Sequence, residues 1–205
     1  HFSIWKLIRD EKLNNIEKII LTASGGPFLK IKKKIENIKP KYALKHPNWK
    51  MGKKISIDSS TMMNKIFEFI EAKKIFNLKN NHLKILIHPT SYIHAIVFLK
   101  SNLVKILSHQ TSMTIPISNA LGIEEKFKKN FVKDHVKELN NSKFIYPSKA
   151  KFPLISILNM IPEKSSYFET ILITLNDTLV KYYLEGKINY ISLQLNLLAL
   201  IKKPY

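Results

Sequence analysis

Apolar residues along this chain fall into short runs with two different periods. Ile4, Leu7 and Ile8 recur at helical spacing and predict a helix over Ser3–Arg9. Lys18–Thr22 is a nearly continuous apolar run, which reads as a buried strand, and it ends in the glycine-rich turn Ala23-Ser24-Gly25-Gly26-Pro27-Phe28. Residues 29–45 are Lys-rich and only partly periodic, as in an exposed helix or a mobile segment. Lys54-Ile55-Ser56-Ile57 alternates polar and β-branched residues and reads as a short strand. Asp58-Ser59-Ser60-Thr61 then offers N-cap oxygens for a helix over 60–76, with Met63, Phe67 and Ile70 as its core stripe.

Three further strands follow at Lys84–His88, Tyr92–Leu99 and Leu103–Leu107, the last two joined by Lys100-Ser101-Asn102. Period two places Tyr92, His94, Ile96 and Phe98 on one face. Residues 109–150 turn polar and Lys-rich around Pro116 and Pro147 and read as a connecting stretch. Helical patterns return over 152–162, 166–184 and 190–201. The expected fold is an α/β (α+β) catalytic domain with a mixed sheet, then a linker and a partial C-terminal helical bundle. The expected boundaries are 1–122 for the first domain, 123–150 for the linker and 151–205 for the helices.

Composition narrows the function classes. A chain of 205 residues can bury one full core, or one domain with a small appendage. No run of about 18 uncharged apolar residues occurs, so no membrane span is expected. There is no secretion-signal pattern, and with no cysteine there are neither disulfides nor thiolate metal sites. A cytoplasmic location fits these features. The net charge of +19 suggests a polyanion partner. Yet Arg9 is the sole arginine, where a nucleic-acid binder would use Arg for bidentate contacts. Lys, Asn and Ile share A/T-rich codons, so coding drift accounts for the charge equally well, and neither a nucleic-acid nor a membrane partner is expected. The chain opens at His1 inside a helical run, and at Lys202-Lys203-Pro204-Tyr205 it stops short of a matching terminus, so a fragment of a longer protein is expected.

Candidate chemistry concentrates between His46 and Glu71. Ser59, Asn64 and Lys65 offer a hydroxyl, an amide and an ammonium near an expected helix start, where free N–H groups and the dipole favour an anion. Glu68 stands four residues from Asn64 and three from Lys65, so the three project from one side. From spacing alone, this side reads first as a solvated face with a surface Lys–Glu pair. By the same standard Ser24-Gly25-Gly26 is a phosphate cradle or a plain tight turn, and His94 is a site residue or a satisfied core histidine.

Three motifs, in order, decide between these readings. Ser24–Phe28 (SGGPF), His46–Glu68 (HPNWKMGKKISIDSSTMMNKIFE) and Ile87–His94 (IHPTSYIH) resemble the 1-deoxy-D-xylulose 5-phosphate reductoisomerases. The resemblance covers nearly all of residues 1–122 and continues more weakly to the end. It implies conversion of 1-deoxy-D-xylulose 5-phosphate to 2-C-methyl-D-erythritol 4-phosphate in isoprenoid biosynthesis, by a skeletal rearrangement assisted by Mg²⁺ or Mn²⁺ and a reduction by NADPH. The implied partner is a phosphosugar substrate, and the implied assembly of the full-length protein is a homodimer. Ser24, Ser59, Asn64 and Lys65 are then the phosphate holders, and Glu68 is a metal ligand that also touches substrate. His46, Trp49 and Met51 belong to a lid over about 42–52, His46 contacting substrate, and Gly52 approaches NADPH. His1 and His94 match histidines near the site.

The sequence departs from the family pattern at Ile66, where a small residue is usual, at Thr114 in place of Arg, and at Asn176-Asp177 in place of Asn-Glu. The family's other two metal carboxylates and its nucleotide-binding domain are expected upstream of His1, so this chain by itself is expected to lack turnover. A degenerate, non-catalytic relative and a polyanion-binding module are the competing readings. The first predicts loss of an anchor among Ser24, Ser59, Asn64, Lys65 and Glu68, and none is lost. The second predicts exposed aromatics on a basic patch.

Overall fold

The computed structural model describes residues 1–31, 38–45, 51–123 and 131–203. These residues form two compact units, one of residues 1–24 and 71–146, the other of 25–70 and 147–205.

The first unit is built on a four-stranded mixed sheet. Its strands are β1 (Ile16–Ala23), β2 (Leu83–Ile87), β3 (Ile93–Leu99) and β4 (Val104–Ser108), in the order β2-β1-β3-β4. β1 runs parallel to β2, with Leu21 opposite Ile85, and antiparallel to β3, with Leu21 opposite Ala95. β1 has a neighbouring strand on each edge and is buried on both faces from Ile19 to Ala23, which fits its apolar run from Ile19 to Leu21. One sheet face carries Ile19, Leu21, Ile85, Ala95 and Val97, all buried. Helix α1 (Phe2–Ile8) packs against β3 and β4 and buries Ile4 and Ile8. The other face carries a smaller cluster of Ile20, Tyr92, Ile93 and Ile96. Toward β4 this face opens to solvent: Phe98 pairs with Val104 and Ile96 with Ile106, and Val104 and Ile106 are half exposed.

The stretch expected to be a linker carries secondary structure. Helix α5 (Thr114–Ala120) is followed by α6 (Phe131–Asn140), and Ile145 bridges back to Ile87 through two backbone hydrogen bonds of 2.8 and 2.9 Å. His135 on α6 lies tilted against the Phe131 ring and contacts the Tyr92 hydroxyl. Composition missed α6 because its many Lys, Asp and Glu are what an outer helix face needs.

The second unit is helical: α2 (Pro40–Ala43), α3 (Lys53–Thr61), α4 (Met63–Ile75, which reaches into the first unit from Glu71), a 3₁₀ segment at Pro153–Met160, α7 (Phe168–Leu184) and α8 (Tyr190–Leu200). α7 packs on α3 and α8, and α8 on the 3₁₀ segment, around fully buried Ile57, Leu154, Ile157, Leu172, Leu193 and Leu197.

One element departs from the sequence pattern. Residues 54–57 are not a strand; they lie inside α3, which starts after the N-cap Gly52. Helix-specific contacts prevail over the β-branched alternation. Ser56 Oγ donates to the Gly52 carbonyl at 3.0 Å, and Lys54 pairs with Asp58 one turn on at 2.8 Å. The helix start expected at 58–61 is therefore the end of α3, and a new helix begins at Met63. The core stripe of α4 is Met63, Ile66, Phe69 and Ile70; Phe67 is half-buried, with the Lys54 ammonium 5.3 Å from its ring centre. Ile66, larger than the family's usual residue, is fully buried, so its volume is accommodated in the core. Among the described residues no helix is long and apolar enough to cross a membrane.

The centrality of β1 has a measurable consequence. Ile19→Ala is expected to cost roughly 2–5 kcal/mol of stability, and Val104→Ala on the open edge less than about 1 kcal/mol, in urea unfolding. Equal losses would show that β1 is not the centre of this core.

Candidate functional site

The chemistry-bearing residues gather where α3 gives way to α4. Met62 takes a left-handed conformation (φ 68°) and closes α3 through a hydrogen bond from its N–H to the Ser59 carbonyl. Such a position favours Gly or Asn. A methionine holds it here because its side chain is buried, at 2% exposure. α4 starts one residue later, so its positive end lies beside Asn64 and Lys65. Asn64 Nδ2 donates to Glu68 Oε1 at 3.0 Å, and Lys65 Nζ donates to Glu68 Oε2 at 2.7 Å. The three side chains thus meet on one side of the helix, as their spacing predicts. Lys65 and Glu68 are both partly buried, which makes the pair stronger than an open surface bridge.

The glycine-rich turn approaches the same place from below. Gly26, at φ +64°, packs on the end of α3 so closely that a Cβ there would stand 2.8 Å from the Ser59 carbonyl oxygen and 3.0 Å from Ser60 Cα. No other residue fits a left-handed position against backbone at that distance. Pro27 follows, and Phe28 is buried against the ring of Tyr190, edge to face at 5.2 Å.

Residues 1–76 match the family described as 1-deoxy-D-xylulose 5-phosphate reductoisomerase C-terminal domain, and residues 109–203 that described as DXP reductoisomerase C-terminal domain. The 1-deoxy-D-xylulose 5-phosphate reductoisomerase of Pelagibacter ubique is 51% identical over 205 residues, covering 100% of this chain and 53% of that protein. That of Persephonella marina is 40% identical over 191 residues, covering 93% and 51%. The chain belongs to the 1-deoxy-D-xylulose 5-phosphate reductoisomerase family. A crystal structure of DOX-P reductoisomerase in complex with NADPH, fosmidomycin and magnesium has the same fold, with a TM-score of 0.84 at 31% identity over 99% of this chain and 52% of that one. The Zymomonas mobilis enzyme in complex with NADPH gives 0.84 at 26% identity, over 100% and 53%. The chain spans about half the length of the relatives it matches.

Within the reductoisomerase framework the other expected residues are distributed as follows. Ser24, half-buried, follows β1 and belongs to the first unit, as do His1 and His94. His1 pairs with Glu71. The His94 ring stacks on His109 with centroids 3.7 Å apart, and its Nε2 donates to the His109 carbonyl at 3.1 Å. Burial lowers the His109 pKa, which favours a neutral ring in that stack. Met51 is half-buried, and a Cβ on Gly52 would meet nothing within 4 Å. His46 and Trp49 lie outside the described residues. Glu68 is a hard oxygen donor suited to a divalent ion. Among the described residues no group of three or more His, Asp or Glu side chains converges to hold one.

Sequence reasoning took Asp58 for a helix cap and missed its role. It sits within α3 at 1% exposure. Its Oδ1 accepts from Asn176 Nδ2 on α7 at 2.9 Å, and its Oδ2 from Lys54 Nζ, which also reaches Asp177 at 3.0 Å. The i, i+4 spacing of Lys54 and Asp58 and the family's Asn-acid pair at 176–177 were the available signals. Burial raises the Asp58 pKa above its ordinary value by more than the bonds from Asn176 and Lys54 lower it. Burial lowers the Lys54 pKa, but its bonds to the two carboxylates more than offset that and leave it raised.

The sign of the resulting pH dependence follows. With a raised folded-state pKa, Asp58 binds its proton more tightly in the native protein than in the unfolded chain. Its stabilising contribution is present in full below the ordinary carboxylate value of about 4 and is lost as pH rises through the raised value. The unfolding free energy of the native sequence minus that of Asp58→Asn is therefore expected to decline as pH rises from about 4. A difference that grows with pH would show that the two hydrogen bonds outweigh burial.

Proposed function

We propose that the full-length protein is an NADPH-dependent 1-deoxy-D-xylulose 5-phosphate reductoisomerase, and that this chain supplies its phosphate anchors and one metal-binding carboxylate. The observation that carries this reading is the convergence of Asn64 and Lys65 on Glu68 at the α3–α4 junction, inside the motif shared with the family. The same intact set speaks against a non-catalytic relative.

In this reading the Lys65 ammonium, the Asn64 amide and the Ser59 and Ser24 hydroxyls bind the substrate phosphate. Charge-assisted bonds of this kind hold the carbon skeleton still while it reacts. Glu68 contributes one oxygen to the divalent ion, Mg²⁺ or Mn²⁺, which when bound polarises the substrate's oxygens. Gly52 leaves room beside the N-terminus of α3 for NADPH. His46, Trp49 and Met51 close over the substrate and exclude water. The substrate is a small phosphosugar, and the place of action is the cytoplasm.

Lys65→Ala in the full-length enzyme removes a charge-assisted contact and is expected to weaken binding of a phosphonate inhibitor by roughly 1.5–3 kcal/mol, read by calorimetric titration. Unchanged affinity would sink the phosphate assignment.

The same reading makes the full-length protein a homodimer. What supports this is the apolar strip of Phe98, Val104 and Ile106 on the open sheet face, which a second copy can cover. Ile106→Lys is expected to shift the protein to monomer in sedimentation velocity; a dimer that persists unchanged places the interface elsewhere.

A further inference from the structure

Helix α8 opens with a side chain that the motif reading leaves without a task. Tyr190 is its first residue and is fixed from several directions. Asn189 caps the helix by accepting from the Ser192 N–H at 2.8 Å, and the Tyr190 ring lies against Phe28 at 5.2 Å and Tyr183 at 5.7 Å. The residue is 2% exposed. Its hydroxyl donates to the Ser60 carbonyl at 2.8 Å and lies 3.2 Å from Ser60 Oγ, which itself donates to the Ile57 carbonyl at 2.7 Å.

The Ser60 carbonyl is one of the last four of α3, which lie beyond the reach of the helix's own i+4 hydrogen bonds. Left buried without a donor, it would destabilise the last turn in its present position. That turn carries Ser59 and ends at the left-handed Met62, from which Asn64 and Lys65 set out. It is also the backbone that Gly26 touches. Burial holds the Tyr190 phenol well above its ordinary pKa, so it remains a donor across the working pH range.

We propose that Tyr190 is a positioning residue for phosphate binding: its hydroxyl holds the last turn of α3, and through that turn sets Ser59, Asn64 and Lys65 around the anion. This rests on the phosphate reading above. Tyr190 touches no substrate in this account and acts only through the Ser60 carbonyl.

The test compares variants of the full-length enzyme. Tyr190→Phe keeps the ring and removes the hydroxyl. It is expected to weaken fosmidomycin binding and raise the KM for the phosphosugar by roughly three- to tenfold, the loss of one hydrogen bond, with kcat and the KM for NADPH unchanged. Leu172→Val, a core change on α7 that touches no hydrogen bond, is the stability control; it is expected to lower the melting temperature without moving either affinity. Phe28→Leu loosens the Tyr190 ring but leaves its hydroxyl, and is expected to give a smaller loss confined to the same two constants, which keeps the proposal testable should Tyr190→Phe not fold.

Several outcomes would overturn the proposal. Unchanged affinity in Tyr190→Phe, beside a loss in Lys65→Ala, overturns the role of Tyr190 and leaves the phosphate assignment standing. Unchanged affinity in Lys65→Ala overturns both. A loss in Leu172→Val matching that in Tyr190→Phe shows general destabilisation and overturns the positioning role. So does a Phe28→Leu variant with native affinities, when Tyr190→Phe gives no folded protein.

Discussion

A carboxylate buried to 1% exposure is costly unless both of its oxygens are answered, and the helical unit of this protein is arranged to answer Asp58. One oxygen takes a hydrogen from Asn176 on α7, the other from Lys54 on its own helix. Because α3 presents Ser56, Asp58, Ser60 and Thr61 to the interior rather than a run of leucines, its position cannot rest on apolar area alone. Polar partners fix its rotation and height in a way that interchangeable methyl groups would not. Asn176 sets the middle of α3, Tyr190 its last turn, and Gly26 the closeness of the loop beneath.

Where α3 stands determines where α4 begins. The two helices share a single non-helical residue, Met62, so the junction has little freedom to absorb a shift in either. Asn64, Lys65 and Glu68 are the first side chains past that junction to project from one side of α4. Their mutual geometry therefore comes from local helical spacing, and their placement in the unit from the anchoring of α3.

That division explains what could be read from the sequence. The meeting of Asn64, Lys65 and Glu68 was legible because it depends on i, i+3 and i+4 spacing alone. The strands β1 to β4 and the helices α7 and α8 were legible because each has a plain period and clear punctuation at its ends. The mixed sheet followed from strands interleaved with helices. The readings that failed depend on distant partners. Ile55 and Ile57 alternate as in a strand, and nothing local says that Asn176, more than a hundred residues later, waits for the Asp58 carboxylate. Phe67 looked like core because it falls at helical spacing with Met63 and Ile70, while Ile66 took the buried position. α6 was hidden by its charge. Tyr190 gave no signal, since a lone tyrosine at a helix start is ordinary until the carbonyl beneath its hydroxyl is known.

The parallel pairing of β1 with β2 also bears on how the chain reaches this fold. β1 is complete by Ala23, yet its partner β2 does not begin until Leu83, and residues 25–70 between them belong to the other unit. The helical unit in turn waits for residues 147–205, which follow the whole of the sheet. Each unit is thus interrupted by a segment of the other, and neither can be cut out as one continuous piece of polypeptide. During synthesis the central strand must remain unpaired on both edges while the motif segment is made, and α3 must remain without Asn176 and Tyr190 until α7 and α8 emerge. Such a chain closes its loops late and folds slowly for its size, and α7 and α8, which follow the whole of the sheet, complete the surroundings of the α3–α4 junction.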